Sequence, residues 1–171
     1  HQPDKVAEAT RRKVADAVLE TGYVPNRLGR SLVTNRTQVI AAIVPSIQNP
    51  VFAEIVRAMS ENLRQAGYLL LLGNSEGHPD QEEALVRTFL AQRPDGVVLH
   101  GTTHTPGTRT LLRRSAIPVV ETGNLEGETI DVVVGYSNFA AAREMTLHLV
   151  SQGYRRIGLI CNYTRFSDRA T

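Results

Sequence analysis

From Gln38 onward, short apolar runs alternate with segments in which apolar residues recur at helical spacing. Residues 39–44 are almost continuously apolar, as in a strand buried on both faces of a parallel sheet. Residues 50–66 carry apolar side chains three or four positions apart, which predicts an amphipathic helix. The alternation continues to Cys161 and predicts a parallel sheet flanked by helices, so we expect an α/β fold for most of the chain.

The later elements are predicted from the same two periodicities. Ser137 is predicted to cap the last complete helix, because its hydroxyl can accept a free backbone amide. Helices are predicted at residues 79–92, around 111–113 and at 138–151, and strands at 68–72, 96–100, 118–121, 131–134 and 157–161.

The first 37 residues have a different pattern. Thr10 is predicted to cap an amphipathic helix that ends at Gly22. A second, short helix is predicted from Pro25 to about Leu32, because proline pre-sets φ and Asn26 can accept the first free amides. A polar link, residues 33–37, then leads into the first strand.

The composition indicates a soluble globular protein. The 171 residues, 42% of them hydrophobic, suffice for one sizeable core and a small appendage. No apolar run reaches the ~20 residues of a membrane helix, and no secretory pattern opens the chain, so we expect a cytoplasmic protein without a membrane partner. The single cysteine, Cys161, is predicted to pack in an apolar run and cannot form an internal disulfide.

Positive charge is concentrated near the N-terminus. Residues 1–36 carry seven Lys or Arg against four acidic residues, although the whole chain has a net charge of only +2. Arg27 and Arg30 flank Leu28 and Leu32, which lie four residues apart on one helical face. The segment therefore predicts a short helix that contacts DNA, whereas an ordinary solvated helix would explain the charge alone.

Polar side chains follow the predicted strands. In parallel α/β sheets, ligands bind beyond the carboxyl ends of the strands. Neutral hydrogen-bonding groups and carboxylates suit a polyhydroxy compound, although each could instead cap a helix or make a turn. The candidates are Ser46, Asn49, Asn74, Ser75, Thr102, Thr103, His104, residues 121–124, Ser137 and Asn138.

Several segments occur in an order shared with a known family. They are VAEATRRKV (6–14), YVPNRLGRSL (23–32), VIAAIVP (39–45), NPVFAE (49–54), GY (67–68), DG (95–96), IPVV (117–120) and GYRRI (153–157). Their succession resembles the LacI/GalR family of transcriptional repressors. Three further stretches are similar to those of its gluconate-utilisation repressor branch, namely HTP (104–106) with Thr108, PVVE (118–121) and VGYSN (134–138).

The resemblance implies a homodimer that binds operator DNA and responds to gluconate, its 6-phosphate or a related sugar acid. The helix near Pro50 would contribute to the dimer face, and Leu32 would act as a wedge in the minor groove. The implied DNA-binding residues are Asn26, Arg27, Arg30, Leu32 and Arg36. The implied effector-binding residues are Ser46, Asn49, Phe52, Asn74, Thr103, His104, Glu121, Asn138 and Arg169.

The resemblance also implies a domain organisation. Residues 1–37 would be the end of a helix-turn-helix headpiece with its hinge helix, 38–156 the N-terminal lobe of an effector-binding core, and 157–171 the start of a second lobe. We therefore expect a fragment, or a truncated gene product, that lacks the first headpiece helices and most of the second lobe.

Two other classes remain open. A periplasmic-type sugar-binding protein would share the lobes but lack the DNA role, and a secretory leader would favour it. A flavodoxin-like or nucleotide-dependent enzyme needs a phosphate loop after the first strand, where residues 46–50 contain no glycine. G-x-S-x-G, Walker and G-x-G-x-x-G motifs are absent, and His100 and His104 do not share a helical face. We expect a repressor with no enzymatic activity, cofactor or metal.

Overall fold

A computed structural model describes residues 6–23 and 36–160. The chain divides after Thr37 into two compact units. Several sequence predictions lie outside the described residues, namely those for Pro25, Asn26, Arg27, Leu28, Arg30, Leu32, Cys161 and Arg169.

In the first unit, helix α1 spans Glu8–Thr21. Gly22 ends it as predicted, with a φ of 62° in the left-handed region that favours glycine. The predicted cap at Thr10 was wrong. The carbonyl of Ala7 accepts the amide of Thr10, so the helix starts one turn earlier than the cap preference of threonine suggested.

The second unit contains a five-stranded parallel sheet in the order β2-β1-β3-β4-β5. Helices α2, α3 and α4 connect the first four strands, and α5 follows the last, which confirms the predicted α/β fold. The strands are β1 (Val39–Val44), β2 (Leu69–Asn74), β3 (Gly96–His100), β4 (Val119–Asn124) and β5 (Val132–Tyr136). The helices are α2 (Pro50–Gln65), α3 (Pro79–Leu90), α4 (Pro106–Ser115) and α5 (Asn138–Ser151).

Helix starts follow the capping signals in the sequence. The side chain of Asn49 accepts the Val51 amide at 3.0 Å, and that of Thr105 accepts the Thr108 amide at 3.0 Å. Ser137 caps α5 as predicted, because its hydroxyl accepts an amide of the first turn at 3.0 Å. These caps direct the polar ends of α2, α4 and α5 to the carboxyl-terminal edge of the sheet, the edge at which β1, β3 and β5 end.

The core joins one face of the sheet to α3 and α4. Its buried residues are Ala41, Ile43, Val97, Leu99 and Val119 from the strands, Val86 and Phe89 from α3, and Leu112 from α4. On the opposite face, the ring of Phe52 in α2 meets that of His100 edge-on, with centroids 4.7 Å apart. The helices therefore cover both faces, as in a doubly wound sheet.

Some predicted boundaries were wrong. Strands β2, β4 and β5 run two or three residues further than expected, because their last residues, Asn74, Asn124 and Tyr136, pair with neighbouring strands. The strand predicted from Ile157 is not formed in its described part, since residues 154–160 have no regular structure. An apolar run becomes a strand only when a partner is available.

Among the helices of residues 6–23 and 36–160, none combines the length and apolar character of a membrane span.

Candidate functional site

The strand order places a topological switch point between β1 and β3. The chain leaves β1 toward β2 on one side, and leaves β3 toward β4 on the other. Because the two connections diverge, a crevice forms beyond the carboxyl ends of these strands, and ligands of doubly wound sheets bind there. Ser46 follows β1 and the loop of residues 101–105 follows β3.

Beyond β1, the polar side chains serve local structure. The hydroxyl of Ser46 accepts the amides of Gln48 at 3.2 Å and Asn49 at 3.3 Å. Asn49 caps α2. Both residues are only half-buried, so a ligand can still approach them.

At the end of β2, Asn74 differs from its neighbours. Its Oδ1 is buried and has no hydrogen-bond partner among the described residues. The adjacent Ser75 is buried too, but its hydroxyl donates to the carbonyl of Val44 at 3.4 Å. A buried acceptor without a donor is unfavourable by about 1–3 kcal/mol, so Asn74 is suited to receive a ligand hydroxyl.

The loop after β3 is held by two side chains. Thr102 Oγ1 donates to the carbonyl of Glu126 at 2.6 Å, and Arg109 Nη2 donates to the carbonyl of Thr102 at 2.5 Å. The second terminal nitrogen of Arg109, Nη1, is buried without a partner in the described part of the chain. Thr103, at the tip of the loop, is exposed.

Sequence reasoning missed Arg109, although its place in the first turns of a helix after a strand-end loop is a usable signal. Nearby, a hydrogen bond from Arg113 at 2.6 Å holds the pKa of Glu128 below its usual range. The positive charges of Arg113 and Arg109 lower that pKa further. Arg109 and Arg113, four residues apart on α4, therefore form a cationic side of this helix that already accommodates one carboxylate.

His104 and Glu121 lie inside the protein. Nδ1 of His104 is 2.7 Å from Glu82 Oε1, and Nε2 is 3.1 Å from Glu121 Oε1. The second oxygen of Glu121 accepts the amide of Ile130 at 2.7 Å. The side chains of His104 and Glu121 have no exposed surface.

Beyond β4 and β5, polar groups bond to each other. The backbone amide of Asn138 donates to Asn124 Oδ1 at 3.3 Å, and the hydroxyl of Ser137 donates to the carboxylate of Glu126. These contacts tie the start of α5 to the end of β4. Asn138 is half-buried at the same edge as Ser46.

The register divides the predicted effector residues between the two faces of the sheet. Asn74, His100 and Thr122 face the side of α2, because side chains alternate along each strand and these three occupy matching positions. Glu121 faces the other side, where α3 and α4 pack. Ser46, Asn49, Thr103 and Asn138 lie at the edge itself, and Phe52 lies against His100.

Arg36 is the one predicted DNA-contact residue that falls within residues 6–23 and 36–160, and it is exposed. Over those same ranges, no group of three or more His, Cys, Asp or Glu side chains has an arrangement that could hold a metal ion.

Comparison with known proteins gives consistent matches. A family model described as periplasmic binding proteins and sugar binding domain of LacI family matches residues 37–168. The HTH-type transcriptional regulator GntR of Escherichia coli (strain K12) is 35% identical over 158 residues, covering 92% of this chain and 48% of that protein.

Two solved structures are also similar. A LacI family transcriptional regulator from Silicibacter pomeroyi has a TM-score of 0.79 and 36% identity, covering 89% of this chain and 46% of that one. The transcription regulator GntR from Chromobacterium violaceum has a TM-score of 0.63 and 38% identity, covering 70% of this chain and 44% of that one. The chain spans about half the length of the curated relatives it matches.

Proposed function

Because this chain belongs to the LacI family, we propose that it acts in a sequence-specific DNA-binding transcriptional repressor that responds to a small sugar or sugar acid such as gluconate. The relatives reported above are transcriptional regulators rather than enzymes. They favour a regulator over a sugar-binding protein without a DNA role. The proposal includes a cytoplasmic location, operator DNA as a partner and no catalytic activity.

The observation that carries the effector class is the presence of two unsatisfied polar atoms near the carboxyl-terminal edge, one on β2 and one on α4. Among the described residues, the buried side-chain atoms without a hydrogen-bond partner are Asn74 Oδ1 and Arg109 Nη1. The first is an acceptor that a hydroxyl satisfies. The second is a cationic donor, and a carboxylate satisfies it with a charge-assisted bond. The two atoms lie on elements that face opposite sides of the sheet, so each supports one group of a sugar acid separately, Asn74 a hydroxyl and Arg109 a carboxylate.

The remaining predicted effector residues enter the proposal according to their position. Ser46, Asn49, Thr103 and Asn138 offer hydrogen-bonding groups at the edge, and Phe52 supplies an apolar surface beside His100. Arg169 and the DNA-contact residues Asn26, Arg27, Arg30 and Leu32 stay predictions from sequence, since they lie outside the described residues.

A homodimer is supported by α2. Val51 and Ile55, four residues apart on this helix, are 55% and 36% exposed, although the neighbouring Phe52 is buried. Adjacent exposed apolar side chains on one helical face are suited to contact a second copy of the chain.

Calorimetric titration of the intact protein with gluconate, its 6-phosphate and glucose tests the effector class. Asn74→Ala removes the unpaired acceptor and should weaken binding of the acid about 5- to 150-fold, because a ligand hydroxyl buried without its acceptor costs about 1–3 kcal/mol. Gln92→Ala is the control, because Gln92 also carries an amide side chain but is exposed just beyond the last residue of α3, away from the carboxyl-terminal edge. Absence of heat with every sugar acid would refute the proposal, and equal affinity of Asn74→Ala and wild type would remove Asn74 from the site.

A further inference from the structure

A buried histidine lies between two carboxylates on different elements. Glu82 is on α3, His104 is in the loop after β3, and Glu121 is on β4. We call these three residues the carboxylate–histidine clamp. Their side chains are 11%, 0% and 0% exposed, and each ring nitrogen is within hydrogen-bond distance of one carboxylate oxygen.

The number of hydrogens in the clamp follows from this geometry. A neutral imidazole has one N–H donor and one bare acceptor nitrogen, and an ionised carboxylate only accepts. A neutral ring between two ionised carboxylates would therefore set a lone pair against an oxygen on one side. Both contacts become hydrogen bonds only when the clamp holds one further proton, on the ring or on a carboxyl group.

The charged groups around the clamp also favour one further proton. In the described part of the chain, the basic side chain beside both Glu82 and Glu121 is that of His104, which is charged only if protonated. Nearby charged groups bond elsewhere. Glu83 accepts from Thr105 and Arg87, Arg109 donates to Thr102, and Asp131 accepts the amide of Val119. Without the further proton, two buried negative charges would lack a cation, which is strongly destabilising.

We propose that Glu82, His104 and Glu121 share one stored proton, and that this clamp fixes the loop after β3 against α3 and β4. His104 and Glu121 then act as positioning residues for Thr103 and Arg109 rather than as effector ligands. The positioning role rests on the proposed effector function, whereas the stored proton does not.

NMR of the intact protein, with nitrogen-15 in histidine and carbon-13 in glutamate, counts the protons directly. His104→Gln identifies the His104 signals by their loss. At neutral pH, we expect either both ring nitrogens of His104 to carry hydrogen or one carboxyl group of the clamp to be protonated. A neutral ring beside two ionised carboxylates would overturn the proposal.

Glu82→Gln provides a second measurement. The new amide can donate to Nδ1, so a neutral ring with hydrogen on Nε2 makes both hydrogen bonds and the further proton is no longer needed. We expect urea unfolding of Glu82→Gln to stay near that of the wild type, with a neutral His104 ring in its spectrum. A Glu82→Gln protein that still has a doubly protonated ring would contradict the hydrogen count.

His104→Gln should lower the folding equilibrium constant at least ~100-fold, because its amide oxygen then faces a carboxylate. Adding Glu82→Gln to His104→Gln should recover at least ~10-fold of the lost folding equilibrium constant. The amide introduced at position 82 can donate to the amide oxygen introduced at position 104, whose own NH2 group donates to Glu121. Asp80→Asn, on the exposed side of the same first turn, is the matched control and should not restore it. Lack of rescue by Glu82→Gln would overturn the proposal. If the proton is present but no sugar acid binds, only the proposed function fails.

Discussion

Gly135 allows β4 and β5 to approach closely, and its replacement by alanine provides a sensitive test of the site. Gly135 pairs with Gly123 in the register of the two strands. A Cβ atom added at Gly135 would overlap the backbone carbonyl oxygen of Gly123. Because the obstacle is backbone rather than a flexible side chain, β5 itself must move.

The size of the effect follows from the contacts next to this pair. The amide of Leu125 donates to the carbonyl of Tyr136 at 3.1 Å, and that of Asn138 to Asn124 Oδ1 at 3.3 Å. A shift of about 1 Å takes both beyond hydrogen-bond distance. Overpacking of about 1–3 kcal/mol and about 1 kcal/mol for each of the two lost hydrogen bonds give a destabilisation of about 3–5 kcal/mol.

Hydrogen exchange and urea unfolding of the intact protein measure this effect. Because β5 is the edge strand of the described sheet, faster exchange should be concentrated at Leu125 and Asn138, with the amides of β1 and β3 changing less. Gly158→Ala is the control, since no atom of the described residues lies within 4 Å of its Cβ position. Unchanged exchange at Leu125 in Gly135→Ala would refute the close approach of the two strands.

Two further predictions concern the proposed partners. Leu32→Ala in the intact protein should weaken operator binding and reduce DNA bending while leaving effector affinity nearly intact, because a minor-groove wedge does not contact the effector; gel-shift titration with unchanged operator affinity would contradict the wedge role. Val51→Asp places a charge on the exposed apolar face of α2 and should shift sedimentation toward monomer, whereas Ser60→Asp, on the opposite flank of that helix, should not; a wild-type protein that is already monomeric would refute the dimer.

Local patterns predicted most of the fold. Residues 39–44 were expected as a buried strand from their apolar run, and β1 has these bounds at the centre of the sheet. Ser137 was expected as a cap from its hydroxyl, and it accepts an amide in the first turn of α5. Both features depend on residues a few positions apart, so that periodicity and capping preferences are sufficient to predict them.

The candidate site was predicted less completely. The strand-end rule led to Asn74 and His104 equally, because both carry polar side chains near the end of a strand. The two residues differ in the structure. Pairing with Val44 places Asn74 on the α2 side of the sheet. His104 is held inside the protein by its contacts with Glu82 and Glu121. Arg109 was missed, because its importance depends on the carbonyl of Thr102 and on the burial of its second nitrogen.

The sequence by itself determined the succession of strands and helices, the parallel architecture and the separate character of the first 37 residues. Only the tertiary structure decided which polar side chains reach the edge of the sheet, which are buried between α3 and β4, and which atoms there have no hydrogen-bond partner. The physical reason is the separation along the chain between the residues that set each feature. Turns, caps and apolar periodicity are set by neighbours within one or two helical turns, whereas strand register and the face on which a side chain lies are set by residues about 20 positions away or more.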